Sequence, residues 1–297
     1  MTRIYLLSII CLFLNMIVYA QNMLDVSYRD YSKKTKLDNC KYSIIYSYKF
    51  TIDTVKKEYY YDRQTLEIGE QYAHYYSIYA DRIDSVDHNM LTQKTSLPNK
   101  DGSDGYNPMR EANMQSNESA IYDDYWFNYP QKGMLTVEKV FFTTTYIYEE
   151  NIPQFEWKLQ PDTATILGYK CIKATTTFRG RNYEVWFTPF IPIRQGPWKF
   201  NGLLGLILKA TDTKGYFEWM ATGIEKNINK SIYNYKHNAN TYKYVQREDI
   251  QKLNDKRWKD PVGLYISLGM KLFVKGSDEK TKSDIIQNPY IPQLELK

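Results

Sequence analysis

Polar and apolar residues alternate through CKYSIIYSYKF, so that Tyr42, Ile44, Tyr46, Tyr48 and Phe50 share one face and Lys41, Ser43, Ser47 and Lys49 the other. A period of two with one apolar face predicts a half-buried strand. The pattern returns in KEYYYDRQTLEIG and QYAHYYSIYA, parted near Gly69, and in VEKVFFTTTYIYEE through Val140, Phe142, Tyr146 and Tyr148. FEWKLQ, TATILGYKCIKATTTF and NYEVWFTPF follow, the last two joined through Arg179-Gly180-Arg181-Asn182, a glycine-containing connection that predicts a hairpin. GLILKATD and YFEWMATGIE, joined at Thr213-Lys214-Gly215, predict another. Hairpins in sequence-adjacent steps predict a mostly β chain built as a single antiparallel, strongly curved sheet or half-barrel. The choice of half-barrel over sandwich is an analogy with periplasmic carriers of lipids and lipoproteins, and a fold does not fix a function.

Three stretches break the alternation. Residues 84–133 are rich in Asn, Asp, Ser and Gly and are expected to form a long surface insertion, within which YDDYWFNYP is aromatic enough to dock back on the sheet. YVQREDIQKLNDKRWKDP spaces Val245, Ile250, Leu253 and Trp258 as an amphipathic helix does, predicting a helix over 245–260 that Pro261 ends. Residues 277–297 are charged and are expected to form an extended tail. At the other end, MTRIYLLSIICLFLNMIVYAQN has Arg3, an apolar run over residues 4–18 and then Val18-Tyr19-Ala20. That is a secretory signal peptide, 1–20, cleaved between Ala20 and Gln21. The run is too short to span a bilayer, and no later run is comparable, so residues 21–297 are expected to form one β-rich domain without a transmembrane span.

Composition changes this picture little. Hydrophobic residues make up 43% of the chain, enough for a sizeable core, and the formal net charge of +5 falls by one with Arg3. So mild and scattered an excess on an exported chain argues against nucleic acid. The 29 tyrosines suit pleated, half-buried surfaces, and they also suit wet binding surfaces. Export leaves Cys40 and Cys171, which either bridge or stay as separate buried thiols.

Catalytic and metal patterns are missing. His74, His88 and His237 have no metal-ligand spacing, no G-x-S-x-G elbow occurs, and NKDGSDG at 99–105 lacks the register of an EF-hand loop. Asp123 and Asp124 are adjacent and would face opposite sides of a strand, so they make a poor acid–base pair. No cofactor is implied. The densest stretch is GPWKFNGLLGLILKATDTKGYFEW, with Gly202 and Gly205 three apart. No Lys-Ser or Lys-Thr follows, as a P-loop needs, and Leu203 and Leu204 stand where a nucleic-acid clamp carries basic residues. The loop is expected to turn over the end of the sheet, with Trp198 and Phe200 as packing plugs or as an exposed binding lip that includes Gly202, Leu203 and Gly205.

The stretch GYKCIKATTTFRGRNYEVWFTPFIPIRQGPWKFNGLLGLILKATD also resembles the signature region of the GLPGLI family of secreted bacterial proteins. Gly168, Tyr169, Cys171, Lys173, Ala174, Trp186, Phe187, Thr188, Pro189, Ile191, Pro192, Gly196, Pro197 and the run from Gly202 to Ile207 carry the likeness. Leu204 departs from it, standing where the name-giving motif has proline. LEIG at 66–69 and the closing YIPQLELK look like the family's early strand and its Tyr-x-Pro-x-Glu-Leu ending, whereas the 84–133 stretch shows no such match. The resemblance implies an exported, mostly β protein with no assigned catalytic residues, and accessory work in the periplasm or at the outer membrane. Three functions remain open: a non-enzymatic binding protein holding an apolar or peptide-like ligand on a concave aromatic face, an interaction protein meeting an outer-membrane or other envelope partner through the 196–208 loop, and an enzyme of unrecognised type. An enclosed apolar cavity would favour the first, and an exposed apolar patch at Trp198 and Leu203 the second.

Overall fold

The structure, a computed structural model, describes residues 29–93, 114–141, 144–226, 228–237, 242–260, 264 and 292–296. The proposed cleavage at Ala20 and Gln21, the 99–105 stretch and most of the 277–297 segment lie outside these residues. Among them the alternating stretches become strands. In β2 (Tyr42–Asp53), Ile44, Tyr46 and Tyr48 are buried on one face with Phe50 half-buried beside them. β3 (Glu58–Ile68) and β4 (Ala73–Ser77) pair on in sequence, and after helix α1 (Ile78–Gln93) so do β5 (Asp123–Phe127), β6 (Met134–Phe141) and β7 (Thr144–Asn151).

A second meander follows, made of β8 (Lys158–Ile166), β9 (Tyr169–Phe178), β10 (Arg181–Thr188), β11 (Leu206–Asp212) and β12 (Phe217–Lys226). Its last strand pairs with β2, which joins the two meanders edge to edge. A ribbon of β1 (Arg29–Asn39) with β13 (Ser231–His237) stands apart, and β14 (Tyr242–Tyr244) lies parallel to β7. The sheet order is therefore β14-β7-β6-β5-β4-β3-β2-β12-β11-β10-β9-β8. The chain is mostly β, and this one large sheet is antiparallel but for β14 and not closed into a barrel.

Its curvature follows from one contact. β7 and β10 are eight places apart, roughly 40 Å across a flat sheet. Yet Arg179, in the turn before β10, forms an ion pair with Glu150 of β7. The two wings therefore bend toward each other around an aromatic core. Tyr48 and Trp219, cross-strand partners on β2 and β12, stack with ring centroids 4.7 Å apart. Trp198 lies parallel to Trp219 at 6.1 Å, and Phe200 meets Trp219 edge-on at 5.6 Å. The opposite face of the sheet packs Trp126 with Cys40 and Ile232 under the ribbon, and Val140 with Tyr79, Ile83 and Tyr122 near α1.

Four expectations change. QYAHYYSIYA is strand only to Ser77, whose Oγ accepts the Ala80 N–H and starts α1, so a cap overrides the alternation. VEKVFFTTTYIYEE is the adjoining arms of β6 and β7 rather than one strand. Within 84–133, α1 occupies the first residues, β5 is a central strand, and the return passes beside β3 through the Tyr61–Glu118 bridge. The connection at Arg179 is the two-residue turn Arg179-Gly180, both at positive φ, which suits the twist of the flanking strands. The C-terminal helical segment is α2 (Arg247–Lys259).

Candidate functional site

The loop between β10 and β11 holds the residues singled out in the sequence, and most of them face inward. Gly205 runs so close to β10 that a Cβ there would sit 2.2 Å from the Thr188 carbonyl oxygen. Gly202 takes φ +96°, a conformation side chains disfavour, and the Trp157 indole N–H donates to the adjacent Asn201 carbonyl at 2.8 Å. Trp198 itself takes φ +54°, and three successive side chains, Trp198, Lys199 and Phe200, are buried at 2%, 1% and 0% exposure. An L-residue of that size stays left-handed only where packing holds it on all sides.

The aromatic pair is thus a plug. Trp198, Phe200 and Leu203 lie in the core, against the expectation that they could form an exposed lip, because the bent sheet leaves a concavity that the loop fills. The loop's exposed apolar side chains are instead Phe190, at 68%, and Leu204, at 72%. The close pass of Gly205 against Thr188 and Pro189 puts these two side chains at one end of the sheet. The two cysteines are likewise not a pair. Both thiols are free and buried, Cys40 in the connection from β1 to β2 and Cys171 on β9, in separate hydrophobic clusters.

Between the plug and α2 lies a polar site that the sequence does not announce. Lys199 Nζ donates to Glu150 Oε1 at 2.6 Å, to Glu295 Oε1 at 2.6 Å and to the Tyr148 hydroxyl at 3.0 Å. Glu295 Oε2 in turn accepts from Arg179 at 2.6 Å and from Arg247 at 3.2 Å. Burial works against charge on Glu295, but the Lys199 ammonium and the Arg179 guanidinium outweigh it and hold the carboxyl down at about 2. Burial likewise works against charge on Lys199, and Tyr148, Glu295 and Glu150 reverse it, so its pKa is raised. With all three N–H donors taken, Lys199 is a fixed cation and not an amine available for attack.

Glu295 belongs to a short strap, residues 292–296, laid across the gap between the wings. Tyr183 Oη donates to the Leu294 carbonyl at 2.6 Å, Arg181 donates to the Gln293 carbonyl, and the Leu296 N–H donates to the Arg179 carbonyl at 2.9 Å. Gln293 Nε2 reaches Asp255 of α2 at 3.0 Å. Beside the strap a cavity of about 50 Å³ remains, lined by Tyr125, Tyr148, Lys199, Arg247 and Ile250 among others. That is room for a few water molecules and well below the size of a ligand pocket.

Two further acidic centres are enclosed. Asp62 accepts from Ser77 Oγ at 2.8 Å, Gln64 Nε2 at 2.9 Å and the Ile121 N–H at 3.3 Å, and burial pushes its carboxyl up to about 8. His74 Nε2 lies 2.9 Å from Asp124, with the imidazole stacked on Trp126 at 3.5 Å between centroids. Asp123, on the other face of β5, pairs with Lys139. Among the described residues no group of three or more His, Cys, Asp or Glu is placed to hold a metal ion.

The family model described as "N-glycanase peptide, N-terminal domain" matches residues 110–248, a span that runs from before β5 to the start of α2. Over that span the chain is similar to the N-terminal domain of an N-glycanase. Two solved crystal forms of PNGF-II align with it, one at 16% identity and TM-score 0.42 over 72% of this chain, the other at 17% and 0.41 over 74%. The chain spans about a third of the length of each, 32% and 33%. No curated protein matches. The matched span includes the plug, Glu150, Arg179, Lys199 and Arg247, whereas Glu295 falls outside it.

Proposed function

We propose that this chain is a non-enzymatic, exported accessory protein of the GLPGLI type that works by surface contact with an envelope partner. The observation that carries this reading is the filled concavity. Trp198, Lys199 and Phe200 occupy the hollow of the sheet, and about 50 Å³ is left beside the strap. With the strap in place, the described residues leave an apolar small molecule on the concave aromatic face none of the roughly 300 Å³ that such sites use. The partner surface is then the end of the sheet where Phe190 and Leu204 project, two large apolar side chains in water on an otherwise packed loop.

The resemblance of residues 168–207 to the GLPGLI signature supports export and an accessory role. The enclosed acids argue against catalysis by them, since Asp62, His74 and Asp124 are buried and engaged with neighbours rather than open to a substrate.

A photo-crosslinking residue placed at Leu204 in living cells tests the reading. One discrete envelope adduct is expected, lost when Phe190→Ser is added and absent when the probe sits at Leu159, which is also exposed. Equal labelling from Leu204 and Leu159, or none from either, would overturn it.

A further inference from the structure

The strap is held in the manner of a bound peptide. Its carbonyls at Gln293 and Leu294 are read by the side chains of Arg181 and Tyr183, and among the described residues its backbone bond is Leu296 N–H to the Arg179 carbonyl. Each of those side chains is fixed by the fold independently of the strap. Arg181 Nη1 is pinned to Asp212 at 2.7 Å, the Tyr183 ring packs on Trp198 and Phe200 with centroids 5.7 and 5.0 Å away, Arg179 pairs with Glu150, and Lys199 bonds Tyr148 and Glu150. The walls are core residues, while along the strap Gln293 and Leu294 are half-buried and Leu296 is exposed, with Pro292 and the Glu295 carboxylate turned inward. A pre-formed groove with a less buried occupant is the arrangement of peptide recognition, in which backbone contacts give affinity and one pocket gives specificity.

The pocket's chemistry names its occupant. Without Glu295, Lys199 and Arg179 would share the single carboxylate of Glu150, leaving an excess of positive charge in a site from which water is largely removed. A buried cation left short of its partner is costly, so the groove requires a carboxylate. Leu294 packs against the core beside that carboxylate, while Leu296 stays exposed. We propose that this groove is a docking site for an extended acidic peptide of apolar–Glu pattern from a partner protein, and that the 292–296 strap is its resident, competing occupant. This is a site separate from the Phe190 and Leu204 surface, and it stands or falls independently of it.

A tethered occupant competes at high effective concentration, so an added peptide binds weakly until the strap is loosened. The test uses the full chain and the synthetic peptide Pro-Gln-Leu-Glu-Leu with a fluorophore, read by anisotropy. Glu295→Gln is expected to tighten binding by about tenfold or more over the unsubstituted chain. The peptide with Gln in place of its Glu is expected not to bind. If Glu295→Gln does not fold, a spin label on Leu296→Cys in the otherwise natural chain decides, because excess acidic peptide is expected to release the labelled strap and the Gln peptide to leave it immobile. No binding by a folded Glu295→Gln chain, equal binding of the two peptides, or a label that stays immobile under excess acidic peptide would overturn the proposal.

Discussion

Lys199 Nζ and Glu295 Oε1 lie 2.6 Å apart although 96 residues separate them in the chain. The contact joins the plug that fills the sheet's hollow to the strap that crosses its mouth. Glu150 of β7 and Arg179 of the β9–β10 turn complete the cluster, so both wings of the sheet meet in one set of ion pairs.

The depressed pKa of Glu295 makes this cluster a pH-dependent source of stability. Its carboxyl titrates at about 2 in the fold and near 4.5 when free, so the unfolded chain binds the proton first as pH falls. The contribution is complete above about 4.5 and is lost as pH falls toward 2. Glu295→Gln is expected to cost about 3–5 kcal/mol at neutral pH and to flatten the acid limb of the stability curve. Urea titrations at pH 7, 4 and 2.5 check this. An acid limb as steep in the variant as in the natural chain would contradict it.

Trp198→Ala removes a buried indole that stacks on Trp219 and meets Phe200 edge-on. The expected cost is about 3–5 kcal/mol. In a domain of this size that lowers Tm by roughly 10 °C. Leu204→Ser, at an exposed position of the same loop, is expected to leave Tm within about a degree. Calorimetry on both variants separates plug from surface, and comparable losses at the two positions would count against the division.

Gly205 and Gly215 answer alanine differently. Gly205 has no room, with the Thr188 carbonyl oxygen 2.2 Å from a would-be Cβ, and the neighbour is backbone that cannot swing away. Gly215 has nothing within 4 Å but sits at φ +71°. Gly205→Ala is therefore expected to cost about 3 kcal/mol or more. Gly215→Ala is expected to cost about 1 kcal/mol from backbone strain alone. The reverse order in thermal melts would place the glycine requirement elsewhere.

Cys40 and Cys171 are expected to remain thiols in unreduced protein. Both are buried, and burial pushes each thiol up to about 11, with Glu67 adding to the effect at Cys40. Native protein at pH 8 should resist iodoacetamide, and two thiols should alkylate once guanidinium unfolds the chain. A mature chain with no titratable thiol after unfolding would show a bridge.

Asp62 produces a slope of opposite sign to that of Glu295. Its folded pKa of about 8 lies above the free value of 3.8, so the folded chain holds the proton that the unfolded chain gives up. Stability from this group is full below about 3.8 and declines as pH rises toward 8. Asp62→Asn keeps the shape and an amide that Ser77 and Gln64 can still meet, and is expected to remove the decline. Melting temperatures from pH 5 to 9 for both chains report it, and parallel curves would mean that Asp62 is ionised in the fold.

Much of the fold is written in local pattern. The period-two face of Ile44, Tyr46 and Tyr48 is the core face of β2, and the spacing of Ile250 and Leu253 is the buried side of α2. Where a single residue redirects the chain, as Ser77 does by capping α1, alternation misleads. The site was less legible still. A lysine flanked by two aromatics reads as an exposed charge between plugs, and only the partners at Glu150 and Glu295 explain its burial. Those partners meet through sheet curvature, a property of twelve paired strands that no local window contains. The one local trace was the closing YIPQLELK, whose glutamate is Glu295.

Native mass spectrometry of the unreduced protein, purified from the envelope of its own host, tests the central claim most directly. A sheet that fills its own hollow predicts the bare mass of the chain with two free thiols and no retained small molecule. A stoichiometric extra mass that survives gentle ionisation and departs on unfolding would mean that the hollow opens to a ligand, and the surface-contact account would fail.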